Sequence, residues 1–382
     1  MSLRRARQGA FHLAAETLWR MPSRFGFARL FGPWYTLRSV VFHNIAAQPS
    51  PFTKGMRVDS SPEQFEAKLK FLSKHYTPVR LGDVLADEGG HTLPPRAILV
   101  TFDDAYASVA EIAAPLCVQY GVPAVFFVNA GFLGNHRLAP DNLVCYVANE
   151  MGMKPINRAA QDVRRERWPM LGSMDEVFSG LFPAFSPAER EMFLNVLARE
   201  ARLDPGRLAA EAKLYLTKEQ LATLASHNFE IGNHTHTHVH CRCLQGAELS
   251  REVGGNKAEL EALTGRPVRS FSLPYGSSTD FTPALERHLR TAGYEAVFFS
   301  ESVANQRRAD HFHLDRVSPR AASDDTFFFE IEVMPRLRAI RNRYFCTSNL
   351  VPSGRNSAPV DELHLPGTEG SIGSFDRRLP PV

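Results

Sequence analysis

The chain has 382 residues, 44% hydrophobic and 22% charged, an ordinary globular balance that supports one large domain with elaborations or two smaller ones. A formal charge of +3, with basic residues scattered through the middle, excludes the signature of a nucleic-acid partner. Five cysteines (Cys117, Cys145, Cys241, Cys243 and Cys346) are an odd count without framework spacing, favouring reduced thiols and a cytosolic setting over a disulfide scaffold.

Residues 1–38 read as a basic amphipathic arm. Six arginines precede residue 31 against one acid, Glu16, and Phe11, Leu18, Trp19, Phe25 and Phe27 lie among them. Such a segment either packs on the domain as a helix or lies on an anionic membrane surface. No apolar run approaches the roughly 20 residues of a spanning helix, and the N-terminus lacks the apolar core and cleavage site of a secretory signal. The expectation is a cytoplasmic protein, with peripheral contact to the inner face of the membrane open through the arm.

Seven short apolar runs follow in chain order: Ser39–Ile45, Ala97–Phe102, Ala124–Asn129, Phe229–Asn233, Ser270–Leu273, Ala296–Ser300 and Phe312–Val317. Several are unbroken Val, Ile and Phe, as parallel strands covered on both faces require. Helical patterns alternate with them. Ser61-Pro62-Glu63 opens one that runs to about His75, and others cover about Ala107–Tyr120, Lys218–Ser226, Leu249–Thr264 and Pro283–Ala292, the last two stopping at Gly265 and Gly293. The alternation predicts an α/β fold with a parallel sheet, and seven strands favour a closed or nearly closed barrel over a small open sheet. Residues 39–325 form this domain.

Two stretches leave the repeat. Residues 135–216 are too long for an ordinary connection and rich in helix formers and charge, so they read as a helical insertion. In a barrel it would follow a strand's C-terminal end, beside the active site, as a lid, a substrate wall or an ornament. Residues 326–347 read as a C-terminal amphipathic helix, and 348–382, dense in Pro, Gly, Ser and charge, as a disordered tail.

The chemistry sits at strand ends. Leu99-Val100-Thr101-Phe102 runs directly into Asp103-Asp104. Adjacent residues at a strand's end point to opposite sides, so one carboxylate can ligate a metal while its neighbour serves as base. The plain alternative is a helix N-cap pair. After the fourth strand, His234, His236, His238 and His240 alternate with other residues, and imidazole suits Zn, Co or Ni. His234 and His238 can converge on one ion if the loop curls into a helical turn. His236 and His240 have the same spacing and lie beside Cys241 and Cys243, which leaves a separate zinc knuckle as a rival, although Cys-x-Cys is tighter than usual. Pro274-Tyr275-Gly276 follows the fifth strand as a turn, whose Tyr275 N–H is a candidate oxyanion donor.

These pieces, in this order from about Val40 to Arg320, resemble the polysaccharide deacetylases, the NodB-like domain of carbohydrate esterase family 4. Thr101-Phe102-Asp103-Asp104 resembles the first motif, His234-Thr235-x-x-His238 the second and Phe271–Gly276 the third. Pro123–Val128 and Leu314-x-Arg316-Val317 support them. The resemblance implies a distorted (β/α)7 barrel and a metal-dependent deacetylase acting on an N-acetylated amino sugar of the cell envelope, in a polymer, an oligosaccharide or a lipid- or nucleotide-linked precursor. It implies Asp104, His234 and His238 as ligands of a divalent metal (Zn, with Co or Ni as alternatives), Asp103 as general base and Tyr275 as the oxyanion donor.

The chain departs from the family at three places. Ala105 replaces the Gly after the Asp pair. Ser272 stands where many members carry an Arg that orients the base, and Arg316 is expected to reach in for that role. The Leu-x-x-His motif that carries the family's general acid has no secure match, and the acid is left unassigned. His311 and His313 precede the last strand, and His364 falls in the tail. His43, at the end of the first strand, is expected to touch substrate or a ligand. Pro274 and Arg316 complete the residues expected on the substrate side. Two other readings stay open: an amidase of the same fold acting on a small non-sugar amide, and a metal-retaining glycan-binding protein without turnover.

Overall fold

A computed structural model describes residues 37–345, except 88–91, 165–168, 228, 306–309 and 321–322, together with Thr17 and Arg20. The arm expected over 1–38 and the tail expected over 348–382 lie almost wholly outside the described residues.

Seven strands form the expected parallel sheet: β1 (Arg38–Phe42), β2 (Ala97–Phe102), β3 (Ala124–Val128), β4 (Glu230–Asn233), β5 (Ser270–Ser272), β6 (Ala296–Phe299) and β7 (Leu314–Asp315). They pair in sequence order. The ring nearly closes where Val317, just past β7, bridges Val40 of β1, with Val317 N–H donating to Ser39 O at 2.8 Å and Val41 N–H to Val317 O at 2.9 Å. A short strand, Thr77–Pro78, pairs with the start of β2 off this path.

Period-two alternation sorts the β2 side chains. Val100 and Phe102 pack outward under the helices in one cluster with Phe42, Phe65 and Leu69. Leu99 belongs to the inner cluster with Val125, Phe127 and Phe298. Thr101 and then Asp103 continue the Leu99 face, so the strand's own pleat aims Asp103 into the barrel.

The helices start where local chemistry stops the strand conformation. Ser61 and Gln64 form a capping box for α1 (Pro62–His75), and Thr217 and Gln220 do the same for α4 (Lys218–Ser226), satisfying N–H groups the first turn leaves orphaned. Gly265 ends α5 (Asn256–Thr264) at φ +65°, a left-handed cap that glycine adopts without steric cost.

The insertion is helical, built on α2 (Pro140–Met151) and α3 (Pro187–Glu200) among others. It has a hydrophobic cluster of its own, in which Leu143, Val147, Leu181 and Phe193 pack with Tyr106 and Phe132 at the barrel's mouth. The C-terminal helix expected over 326–347 is a pair, α6 (Asp324–Glu332) and α7 (Met334–Phe345). Among the described residues, no helix is long and apolar enough to cross a membrane.

Candidate active site

The candidate site residues other than His238 lie just past the strands' C-terminal ends, the functional face of a barrel. Asp103 and Asp104 follow β2, His234 follows β4, Tyr275 follows β5, Arg316 follows β7 and His43 follows β1. A cavity of about 200 Å³ opens there, walled by His43, Asp103, Asp104, His234, His238 and Tyr275.

The backbone makes the two aspartates diverge. Asp103 N–H still donates to Phe42 O at 3.0 Å as a continuation of the sheet, but Asp104 and Ala105 turn into the left-handed region at φ 70° and 54°. That conformation costs a non-glycine residue roughly 1–2 kcal/mol. Ala105 therefore makes this turn at some strain. Asp104 leaves the inward face and meets the histidines, with its Oδ1 3.3 Å from His234 Nε2 and 3.4 Å from His238 Nε2.

These three donors lie within 4.8 Å of one another. One carboxylate oxygen and two imidazole nitrogens suit a divalent cation and leave further coordination positions open. The outer partners agree with that use. His234 Nδ1 meets Ser272 O at 2.8 Å, and His238 Nδ1 meets Asp141 Oδ2 at 2.6 Å. Both acceptors fix the ring proton on Nδ1 and turn the Nε2 lone pair toward Asp104, the arrangement a metal-binding imidazole needs.

The histidines converge without the expected helical turn. Residues 234–240 form an irregular loop with Thr235 and His238 left-handed. Side chains take over the bonds a helix would have made: Asn129 Nδ2 donates to Thr235 O at 2.9 Å, Thr235 N–H to Asn233 Oδ1 at 2.8 Å and Thr237 N–H to Glu252 Oε2 at 2.8 Å.

Asp103 is prepared differently. Arg316, fully buried, grips it in a bidentate pair, Nη1 to Oδ1 and Nη2 to Oδ2, both 2.7 Å. The other Arg316 donors reach Phe299 O, Thr101 Oγ1, Ser272 Oγ and Ser300 Oγ. Burial opposes ionisation of Asp103, but Arg316 and His234 outweigh it and hold its pKa below the ordinary carboxylate value. Burial lowers the pKa of His43 against the pull of Asp104 and Asp103, so its imidazole is neutral at neutral pH.

The rival zinc knuckle does not assemble. His236 points to Glu259 at 3.4 Å, while His240 pairs with Asp280 at 2.8 Å and stacks on Tyr275 with ring centroids 3.8 Å apart. Among the described residues the metal-type cluster is Asp104, His234 and His238. Two residues expected on the substrate side lie off the cleft wall. Pro274 is buried in its turn, and Arg316 spends its donors on Asp103 and the barrel interior. Of the unassigned histidines, His313 lies away from the cleft, stacked on Phe299.

Asp141 and Arg190, both in the insertion, escaped sequence reasoning. Asp141 follows a proline at a helix start, which signals only an acid in a first turn, and Arg190 is one arginine in a charged helix.

Comparisons with known proteins extend this description. The model of the family described as polysaccharide deacetylase matches residues 90–297. Among solved structures, the chain is similar to the Streptococcus pyogenes deacetylase PplD in complex with acetate, at 13% identity and a TM-score of 0.52, over 78% of this chain and 98% of that one. It is also similar to IcaB from Ammonifex degensii (18% identity, TM-score 0.49, 78% and 97% covered) and to a de-N-acetylase from Aggregatibacter actinomycetemcomitans (15% identity, TM-score 0.46, 74% and 94% covered). At 13% identity the likeness to PplD is one of fold alone. Among curated proteins none matches. The family match spans more than half of the chain and contains both the Asp pair and the His motif, so this protein belongs to the polysaccharide deacetylase family and is a deacetylase, a hydrolase of carbon–nitrogen bonds.

Proposed function

We propose that the chain removes N-acetyl groups from an amino sugar carried in a polysaccharide, an oligosaccharide, or a lipid- or nucleotide-linked precursor. The observation that carries this reading is the pairing of two carboxylates in unlike settings: Asp104 beside two imidazoles, Asp103 in a bidentate grip by Arg316. Asp104, His234 and His238 would hold a divalent metal, with zinc the first choice and cobalt or nickel as alternatives. Bound there, it supplies Lewis-acid polarisation of the acetyl carbonyl and acidifies water.

Asp103, ionised and unable to rotate in the guanidinium fork, takes the proton of the attacking water. Arg316 acts through Asp103, in the place of the arginine whose family position is occupied by Ser272; its Nη2 also donates to Ser272 Oγ at 2.8 Å. The Tyr275 N–H donates to the tetrahedral oxyanion. The φ of 62° at Tyr275 supports that role, since strained backbone tends to be kept where function demands it. His43, neutral at the end of β1, the strand neighbouring β2, contacts the sugar.

The full-length protein, loaded with Zn²⁺ or Co²⁺, should release acetate from at least one of chitooligosaccharide, a nucleotide-linked or a lipid-linked N-acetylhexosamine. Asp103→Asn should lower that rate by about 10²–10⁴-fold with metal content unchanged. No acetate from any sugar, with metal bound, would overturn the reading in favour of a small-amide hydrolase or a glycan-binding protein.

The setting we propose is the cytoplasm, at the inner face of the membrane, supported by the free thiols of Cys117, Cys145, Cys241 and Cys243 and the basic, aromatic residues 1–34. Binding to anionic liposomes should fall when those residues are removed; equal binding would refute membrane contact.

A further inference from the structure

We infer that the insertion is part of the metal centre, and that Asp141 is the positioning residue through which it holds the ligand His238. The inference rests on the reading of Asp104, His234 and His238 as ligands. Asp141 is the second residue of α2 and is 3% exposed. Its Oδ2 meets His238 Nδ1 at 2.6 Å, and its Oδ1 accepts the Tyr275 hydroxyl at 2.9 Å. One carboxylate from outside the βα repeat thus ties the loop after β4 to the loop after β5.

His238 needs such a tie more than His234 does. His234 directly follows β4, and its Nδ1 finds an acceptor in the barrel itself, Ser272 O. His238 lies four residues further on, in irregular backbone at φ 52°, where no regular element aims its ring. The insertion aims it twice. Asp141 holds the imidazole, and Arg190 of α3 holds the main chain, donating Nη1 to His238 O at 2.9 Å and Nη2 to Thr237 Oγ1 at 2.7 Å. The start of α2 is itself pinned: Asn142 Nδ2 donates to Tyr106 OH at 3.0 Å and to Phe52 O at 3.0 Å, while Tyr215 OH donates to Asn142 Oδ1 at 2.6 Å. The carboxylate therefore stands on a rigid mount, and it raises the electron-donating power of the ring it holds.

The test is metal affinity of the full-length protein, measured by stripping it and titrating Zn²⁺ against a chromophoric chelator, with the visible spectrum of the Co²⁺ form as a second readout. Asp141→Ala and Asp141→Asn should each weaken binding by roughly 10–100-fold and shift the Co²⁺ bands, with Asp141→Glu recovering part of the loss. The melting temperature of metal-free Asp141→Asn should stay close to that of the native chain; if Asp141→Ala does not fold, the Asn variant decides. Native affinity and an unchanged Co²⁺ spectrum in the folded variants would overturn the role of Asp141 alone. Failure of the native chain to bind metal would overturn the ligand reading and this inference with it.

Discussion

Two adjacent aspartates acquire opposite chemistry from a single change of backbone. Asp103 keeps the β2 pleat and enters the barrel, where Arg316 holds it ionised; Asp104 leaves the pleat at positive φ and joins the imidazoles. The Asp103–Arg316 pair is wholly buried, and removing one partner of such a pair leaves an uncompensated charge. Arg316→Ala should therefore cost about 3–5 kcal/mol of stability, read from denaturant unfolding of the metal-free protein. It should also lower turnover by about 10²-fold or more, because Asp103 left alone in a buried site holds its proton and ceases to be a base. Metal content should not change, since Arg316 touches none of the three donors. A variant with full turnover would show that the guanidinium is not what orients Asp103. The two aspartates and the two site histidines were legible as motifs. The clamp was legible only as an expectation, since it joins residues 213 positions apart.

At the scale of elements, strand ends deliver the site, and small residues within strands make room for it. Gly232 in β4 shows this. A Cβ placed there would lie 2.3 Å from a Phe127 ring carbon and 2.9 Å from Ser270 Oγ. Phe127 is fully buried and packs beneath the Arg316 guanidinium, 5.3 Å from its ring centroid. Gly232→Ala would drive that ring toward the arginine, so it should cost about 1–3 kcal/mol through overpacking and reduce turnover together with stability. A melting temperature equal to that of the native chain would show that β4 can shift to absorb the methyl. Strand and helix positions could be read from apolar runs and caps because those signals are local. The loop carrying His238 could not, because Glu252, Asn129 and Arg190 hold it from elsewhere in the chain.

For the whole molecule, the ends of the described chain are locked together across the barrel's seam. Glu332 of α6 accepts from Arg38 of β1, Oε1 from Nε at 2.6 Å and Oε2 from Nη2 at 3.0 Å, and also pairs with Arg336. Burial disfavours the Glu332 charge, but the two guanidiniums outweigh it and bring its pKa from 4.5 down to about 2. A depressed carboxylate contributes stability that is present above its unfolded pKa and lost as pH falls through the folded one. The contribution, on the order of 3 kcal/mol, should fade between about pH 4.5 and pH 2. Glu332→Gln should destabilise the protein at neutral pH and flatten that acid limb in unfolding titrations; an unchanged limb would assign acid sensitivity to other carboxylates. The sequence by itself determined the seven-stranded parallel class, the family, the Asp pair and the His motif, because each is written in a short stretch whose periodicity or spacing carries the information. Tertiary structure alone decided that the histidines converge without a helical turn, that His236 and His240 go to other partners and that an inserted helix supplies Asp141. Those outcomes depend on side chains meeting across sequence separations of tens to hundreds of residues. No local pattern encodes that His236 meets Glu259 or that His240 meets Asp280.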